Sequence, residues 1–302
     1  MTTSAHQGVH ARGVRKSFHS GGRLHEVLKG IDLDLLPGEV VGLIGPNGAG
    51  KTTLMSCLLG FLRPEEGRIT FDGLPNNDLT IRRRTGFVPE RMNLGRRSTG
   101  CQFLRYMARI SGVPRAEIDK RAAGMLERLG LTSARNANLR EYSRGMLQRI
   151  AIAQALLHKP DFIFLDEPAS ALDPNGVILV RDLINEEKQR GATVLLNSHQ
   201  LAEVEKVCDR VLFLHGGLVA RAETLRSADR CIMAIRMLAG SFDATTVERI
   251  AGAKPAGDIV IVSSETERGV AAIVRQLINS GADIVEIRSQ TADLESIFRG
   301  AS

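Results

Sequence analysis

Tryptophan is absent from the 302 residues, tyrosine occurs twice, and the three large aromatics together make up 4% of the chain. Proteins that hold single-stranded nucleic acid stack its bases on aromatic side chains, so this scarcity argues against such a binder. The four cysteines (Cys57, Cys101, Cys208 and Cys231) are scattered, with no CxxC pair. That spacing argues against a zinc site or a disulfide framework, and the thiols read as small buried hydrophobes. Long apolar runs are also missing. Val40–Ile44 and Phe162–Leu165 are strand-sized, far short of the roughly 18–20 residues a membrane helix needs. The opening MTTSAHQGVHARG has neither the basic start nor the apolar stretch of a secretory signal, which predicts a cytoplasmic protein.

What is present is an ordinary globular balance, 43% hydrophobic and 25% charged, at a length that suggests two domains. Charge is unevenly spread. Residues 1–150 hold 24 Lys and Arg against 13 Asp and Glu, whereas residues 151–302 hold 16 against 21. The excess gathers in Arg82, Arg83, Arg84, Arg91, Arg96, Arg97, Arg105 and Arg109. Such a patch suits nucleic acid, anionic lipid headgroups or an acidic partner, and equally a solvated face.

The first 220 or so residues alternate strand-like and helix-like segments, the pattern of an α/β domain with a largely parallel sheet. Three short apolar strands each run into a polar cluster. Glu39–Ile44 leads to a Gly-rich turn and a helix from Gly50 to Leu59, Asp161–Leu165 to two acids, and Ala192–Asn197 to Ser198 and His199. Ligands of open α/β sheets bind at the carboxyl ends of strands, so the three segments are expected to deliver their polar groups to one sheet edge. Between about 95 and 158 the spacing is helical, with helices expected over Gly100–Ser111, Ala116–Leu129 and Arg144–His158. Beyond 225 a small α+β domain is expected, its linker near Arg221–Asp229. Its strands are expected at Cys231–Leu238, Asp258–Ser263 and Asp283–Arg288, and its helices at 243–252, 266–280 and 291–299.

Gly45-Pro46-Asn47-Gly48-Ala49-Gly50-Lys51-Thr52 matches G-x-x-x-x-G-K-[ST] in full, with a strand before it and a helix after. Glycines let backbone N–H groups curl around phosphate oxygens, and the helix N-terminus adds partial positive charge. Gly45, Asn47, Gly48, Ala49, Gly50 and Thr53 are therefore nucleotide-binding candidates, with Lys51 bridging the β- and γ-phosphates and the Thr52 hydroxyl on Mg²⁺. Phe164-Leu165-Asp166-Glu167 supplies the partner carboxylates: Asp166 for Mg²⁺ and Glu167 as the base that polarises an attacking water.

These residues resemble the ATP-binding cassettes of ABC transporters, and Tyr142-Ser143-Arg144-Gly145-Met146-Leu147-Gln148-Arg149 resembles their signature sequence. The resemblance implies an ABC-type P-loop fold with an inserted helical subdomain and a small C-terminal α+β domain. It also implies that Ser143 and Gly145 reach across a dimer to the partner's ATP. His199 is then the switch histidine at the γ-phosphate, Asp173 in Ala171-Leu172-Asp173 belongs to the loop coupling two sites, and Phe18 stacks on adenine. Glu90 in Phe87-Val88-Pro89-Glu90 stands where many cassettes carry Gln, and the resemblance implies a carboxylate there that meets Mg²⁺ through water. That variant resembles the subfamily driving ABC-2-type exporters, as does Asp293-Leu294-Glu295-Ser296-Ile297-Phe298 near the end. The implied boundaries are a cassette over 1–225 and an accessory domain over 226–302.

The resemblance implies an ATP-hydrolysing transporter subunit that uses ATP and Mg²⁺ as a homodimer or paired cassette. It would drive a separate polytopic permease from the cytoplasmic face of the cell membrane, with no nucleic-acid partner. A soluble ABC ATPase acting on ribosomes or nucleic acid is the alternative. Members of that kind hold two cassettes or long insertions, which this chain lacks.

Overall fold

The computed structural model describes residues 7–90, 97–225, 231–238, 240–264 and 266–289. Arg91 and Arg96, residues 226–229 of the expected linker, the helix expected at 291–299 and the Asp293–Phe298 segment lie outside the described residues. The chain separates into two compact units, one running to Glu223 and the other starting at Thr224.

The first unit begins with β1 (Val9–Ser20), β2 (Arg23–Leu35), β3 (Val40–Ile44) and α1 (Lys51–Leu58). Next come β4 (Glu66–Phe71), β5 (Leu74–Pro75), α2 (Leu79–Arg83) and β6 (Thr85–Val88). The helical block follows as α3 (Gly100–Ile110), α4 (Ile118–Arg128) and α5 (Arg144–Leu156), close to the spans the sequence predicts. The unit ends with β7 (Phe162–Asp166), α6 (Pro174–Gln189), β8 (Thr193–Asn197), α7 (Leu201–Val207), β9 (Arg210–His215) and β10 (Leu218–Thr224).

Six strands form one sheet in the order β10-β9-β3-β8-β7-β6. Pairings of β3 with β8 and β9, of β7 with β8, and of β6 with β7 are all parallel. Every residue of β3, β7 and β8 is buried, as expected for strands covered on both faces. The three motif-bearing strands are thus neighbours, and Asp166 pairs in register with Asn197 at their carboxyl ends.

A second sheet, β2-β1-β4-β5, is antiparallel throughout and was not foreseen in a reading of largely parallel β/α alternation. Its long hairpin turns at Gly21-Gly22, both at positive φ. Register shifts between Ala11 and Val14, Val14 and Arg15, and Lys16 and Ser17 break the two-residue alternation that would have announced the strands. The sheet packs into the parallel sheet's core: Phe71 of β4 meets Phe162 edge-on at 5.0 Å and Phe164 at 6.0 Å.

His158, just after α5, is half-buried in this unit, its Nε2 3.2 Å from the Thr85 carbonyl oxygen and its buried Nδ1 without a partner among the described residues. Burial holds its pKa below the usual value, and the cations Arg121 and Arg190 add to that, against the Thr85 bond and Asp161. The unfolded chain therefore binds a proton near pH 6.5 that the folded chain refuses, so ν_U exceeds ν_N and stability rises with pH in that window. The expected result is a Tm that falls as pH drops below about 6.5. His158→Gln should flatten that fall in melting curves from pH 7.5 to 5; parallel curves for the two proteins would contradict the assignment.

The second unit runs β11 (Cys231–Met237), α8 (Ala244–Glu248), β12 (Ala253–Ala256), β13 (Ile259–Ser264), α9 (Glu267–Asn279) and β14 (Ile284–Ser289). Its sheet order, β12-β13-β11-β14, with antiparallel pairing, makes a split β-α-β-β-α-β unit. Ile235, Val260, Val262 and Leu277 fill its own core. β12 was missed in the sequence because it is four residues long and contains Pro255, which only an edge strand tolerates.

Candidate nucleotide site

The loop between β3 and α1 is built for close backbone approach. A Cβ on Gly45 would lie 2.1 Å from the Leu214 carbonyl oxygen, so no side chain fits there. Gly50 caps α1 at φ 104°, and a Cβ on it would press Leu28 at 2.9 Å, which brings β2 against the loop. Between them Gly48, at φ 81°, has nothing within 4 Å of its Cβ position. Asn47 and Gly48 are exposed, and Ala49 is buried beneath them. The helix that follows exposes Thr52 and half-buries Thr53.

Lys51 curls back over this loop, its Nζ donating to the carbonyls of Gly45 at 2.7 Å and Pro46 at 3.0 Å. Burial lowers its pKa, opposed by the carboxylates of Glu167 and Asp166, so three of the predicted residues share one electrostatic site. Asp166, the last residue of β7, accepts a 2.5 Å hydrogen bond from Asn197 Nδ2. Burial raises its pKa, and the Glu90 charge raises it further, against the Asn197 bond and Lys51. Glu90 is thus within electrostatic reach of Asp166, as its sequence position suggests.

Glu167 leaves the strand at φ 52°, a left-handed conformation that costs a residue with a Cβ about 1–2 kcal/mol. Its N–H donates to the Asn197 carbonyl at 2.9 Å, which holds the turn. The same turn aims the carboxylate at His199, whose Nδ1 lies 2.7 Å from Glu167 Oε2. An ionised carboxylate can only accept, so Nδ1 carries the proton. Glu167 is largely shielded, with 14% of its side chain exposed, while His199 stands 69% exposed above it.

A second cluster forms where α5 and α6 begin. Ser143 caps α5, its Oγ accepting from the Met146 N–H at 3.2 Å. A Cβ on Gly145 would come within 3.2 Å of the Ala171 carbonyl oxygen, so the start of α5 lies against the Ala171–Asp173 loop. Asp173 caps α6 through Gly176 N at 3.0 Å and accepts from Arg149 Nη2 at 3.0 Å. Phe18, on β1, is 38% exposed rather than in the core, with Lys16 Nζ 5.5 Å from its ring centre.

Asn197 and Arg149 had no role in the sequence reading, though each anchors a predicted residue. The strand ending in Asn197 was visible; its bond to Asp166 needed the register of two strands 31 residues apart.

The donor set fits Mg²⁺. Thr52 and Asp166 offer hard oxygens, and Asn197 Oδ1 is buried without a partner beside the carboxylate. Among the described residues no group of three or more His, Cys, Asp or Glu gathers to hold a metal. Mg²⁺ is commonly held by one or two carboxylates together with substrate phosphates, which such a sparse set allows.

The family model for ABC transporters matches residues 28–170. The ABC transporter ATP-binding protein YdbJ of Bacillus subtilis is 32% identical over 298 residues, which cover 96% of this chain and 94% of YdbJ. This chain belongs to the ABC transporter ATP-binding proteins. An ABC transporter ATP-binding protein of Nostoc is 42% identical over 209 residues, covering 68% of this chain but only 62% of its own length. Among solved structures, a dimeric ATP-binding cassette in a post-hydrolysis state bound to ADP and Pi superposes with a TM-score of 0.68 at 29% identity. It covers 72% of this chain and 99% of that one. The fold is therefore an ABC ATPase cassette with a small additional C-terminal domain. Relatives named for import and relatives named for export both match, so the match carries the family and not the direction of transport.

Proposed function

We propose that the cassette binds and hydrolyses ATP as half of a dimer, and that the dimer drives a separate membrane permease. The observation that carries this reading is the meeting of Lys51, Asp166, Glu167 and His199 at the ends of three adjacent parallel strands. Gly45, Asn47, Gly48, Ala49, Gly50 and Thr53 would cradle the phosphates, Lys51 would neutralise them, and Phe18 would stack on the base. Thr52 and Asp166 would hold Mg²⁺, with Glu90 nearby; the metal, when bound, neutralises charge on the phosphate oxygens.

Glu167, held by the backbone turn and by His199, accepts the proton of a water aligned with the γ-phosphate. His199 keeps that carboxylate oriented through Nδ1 and leaves Nε2 exposed toward solvent. Ser143 and Gly145, at the N-terminus of α5, present a hydroxyl and an N–H suited to an anion. They sit with Asp173 in a cluster separate from Lys51's, which fits a site completed by a second copy or a paired cassette. ATP then favours the closed pair through contacts made only there, and hydrolysis releases it.

No helix among the described residues is long and apolar enough to cross a membrane, and this reading assigns the membrane crossing to a separate permease. The Glu90 variant supports an exporter of the ABC-2 type, working at the cytoplasmic face of the cell membrane. Residues 1–225 act as the cassette and 226–302 as an accessory domain. The test is capture with tagged Glu167→Gln protein and Mg·ATP from detergent-solubilised native membranes. Recovery of a polytopic membrane protein is expected; recovery of ribosomes or nucleic acid alone would overturn the transporter reading.

A further inference from the structure

The turn from α3 to α4, at Gly112–Pro114, opens a cleft of about 660 Å³ lined by Arg109, Gly112, Val113, Arg115, Ile118 and Asp119. A volume in this range suits a small ligand group. Val113 and Ile118 are buried at 7% and 4% exposure and form an apolar floor, while Gly112 (φ 78°) has nothing within 4 Å of its Cβ position.

Charge in the cleft is unbalanced. The one carboxylate in its lining, Asp119, is already engaged by Arg105 Nε at 2.7 Å. On the neighbouring turn, Glu117 is taken by Arg121 at 2.6 Å. Arg109 and Arg115 make no ion pair or side-chain hydrogen bond among the described residues, which leaves two guanidinium forks facing one opening. Such forks match phosphate oxygens bidentately, and the weak hydration of guanidinium favours that exchange.

Beside the cleft, Tyr106 and Ile110 stand one helical turn apart on α3, exposed at 61% and 58%. An amphipathic tyrosine and an isoleucine next to arginines form the pattern of a surface resting at a bilayer interface, where the ring and alkyl groups meet the headgroup level. A free phosphate would gain nothing from those two side chains; a phospholipid would.

We propose that the cleft between α3 and α4 binds the phosphate of an anionic phospholipid headgroup through Arg109 and Arg115, with Tyr106 and Ile110 resting on the bilayer. The inference rests on the reading that the cassette works at a membrane, and it adds a direct lipid contact independent of any permease. The test uses the purified full chain with vesicles of phosphatidylcholine, with or without phosphatidylglycerol, in a flotation assay. Binding is expected only to the anionic vesicles. Arg109→Ala with Arg115→Ala should weaken it by roughly 30-fold, at about fivefold per arginine near a charged surface. Basal ATPase should not change.

Tyr106→Ser with Ile110→Ser should also weaken vesicle binding, and 10 mM inorganic phosphate should not displace the wild type. Displacement by phosphate, with no effect of the Tyr106 and Ile110 pair, would make this a soluble-anion site and overturn the lipid assignment. Equal losses from Arg82→Ala with Arg83→Ala would show diffuse charge and overturn it too. A chain that ignores anionic vesicles yet captures a permease from membranes sinks this proposal and leaves the transporter reading standing.

Discussion

Glu167→Gln should abolish ATP turnover while leaving ATP binding intact. The carboxylate has no structural duty that an amide cannot perform: the strained turn at φ 52° is held by the backbone bond to Asn197, and the amide oxygen still accepts from His199 Nδ1. On the proposed mechanism, what is lost is the base. Positioned acid–base groups contribute about 10²–10⁴-fold, so kcat should fall by that factor while KM stays close to normal. Binding without release should also accumulate the ATP-bound dimer, seen as a doubled mass in size-exclusion chromatography with light scattering when Mg·ATP is present. A variant that turns over ATP normally would remove Glu167 from the chemistry.

Lys51→Ala should fail one step earlier. Among the described residues Lys51 Nζ hydrogen-bonds only to the loop's own carbonyls, Gly45 at 2.7 Å and Pro46 at 3.0 Å, so removing it leaves the core untouched. The melting temperature should hold. Hydrogen bonds to a charged group contribute about 1.5–3 kcal/mol, and tenfold in affinity corresponds to about 1.4 kcal/mol. ATP affinity should therefore fall roughly 10- to 100-fold in a fluorescent-nucleotide titration, and hydrolysis should fall with it. Unchanged affinity would mean the amine stays parked on the two carbonyls when nucleotide binds.

Much of the site was legible because short, fully apolar strands followed by Gly, Asp-Glu or Ser-His are dense local signals. That three such strands deliver their polar groups to one sheet edge followed from their chemistry, and the structure makes β3, β8 and β7 neighbours in that sheet. The antiparallel sheet was less legible. Its strands expose many polar residues, and the register shifts in β1 scatter the alternation, so Phe18 sits on a surface that composition alone does not reveal. The bonds Asn197–Asp166 and Arg149–Asp173 join residues 31 and 24 positions apart, and no local pattern encodes them. Nor does any local pattern show that the start of α5 lies against the Ala171–Asp173 loop, since that contact joins residues distant in sequence.

That second cluster underlies the central claim, that each ATP is held between the P-loop of one cassette and the α5 cap of another. The most direct measurement mixes two inactive variants, Lys51→Ala and Ser143→Arg, and assays ATPase after exchange. The first lacks a working phosphate loop but keeps Ser143; the second keeps Lys51 but blocks the cap. If the site is shared, mixed dimers hold one complete site and activity returns in part, rising and falling with the mixing ratio. If each chain hydrolyses ATP alone, every mixture stays as inactive as its components, and the shared-site account is wrong.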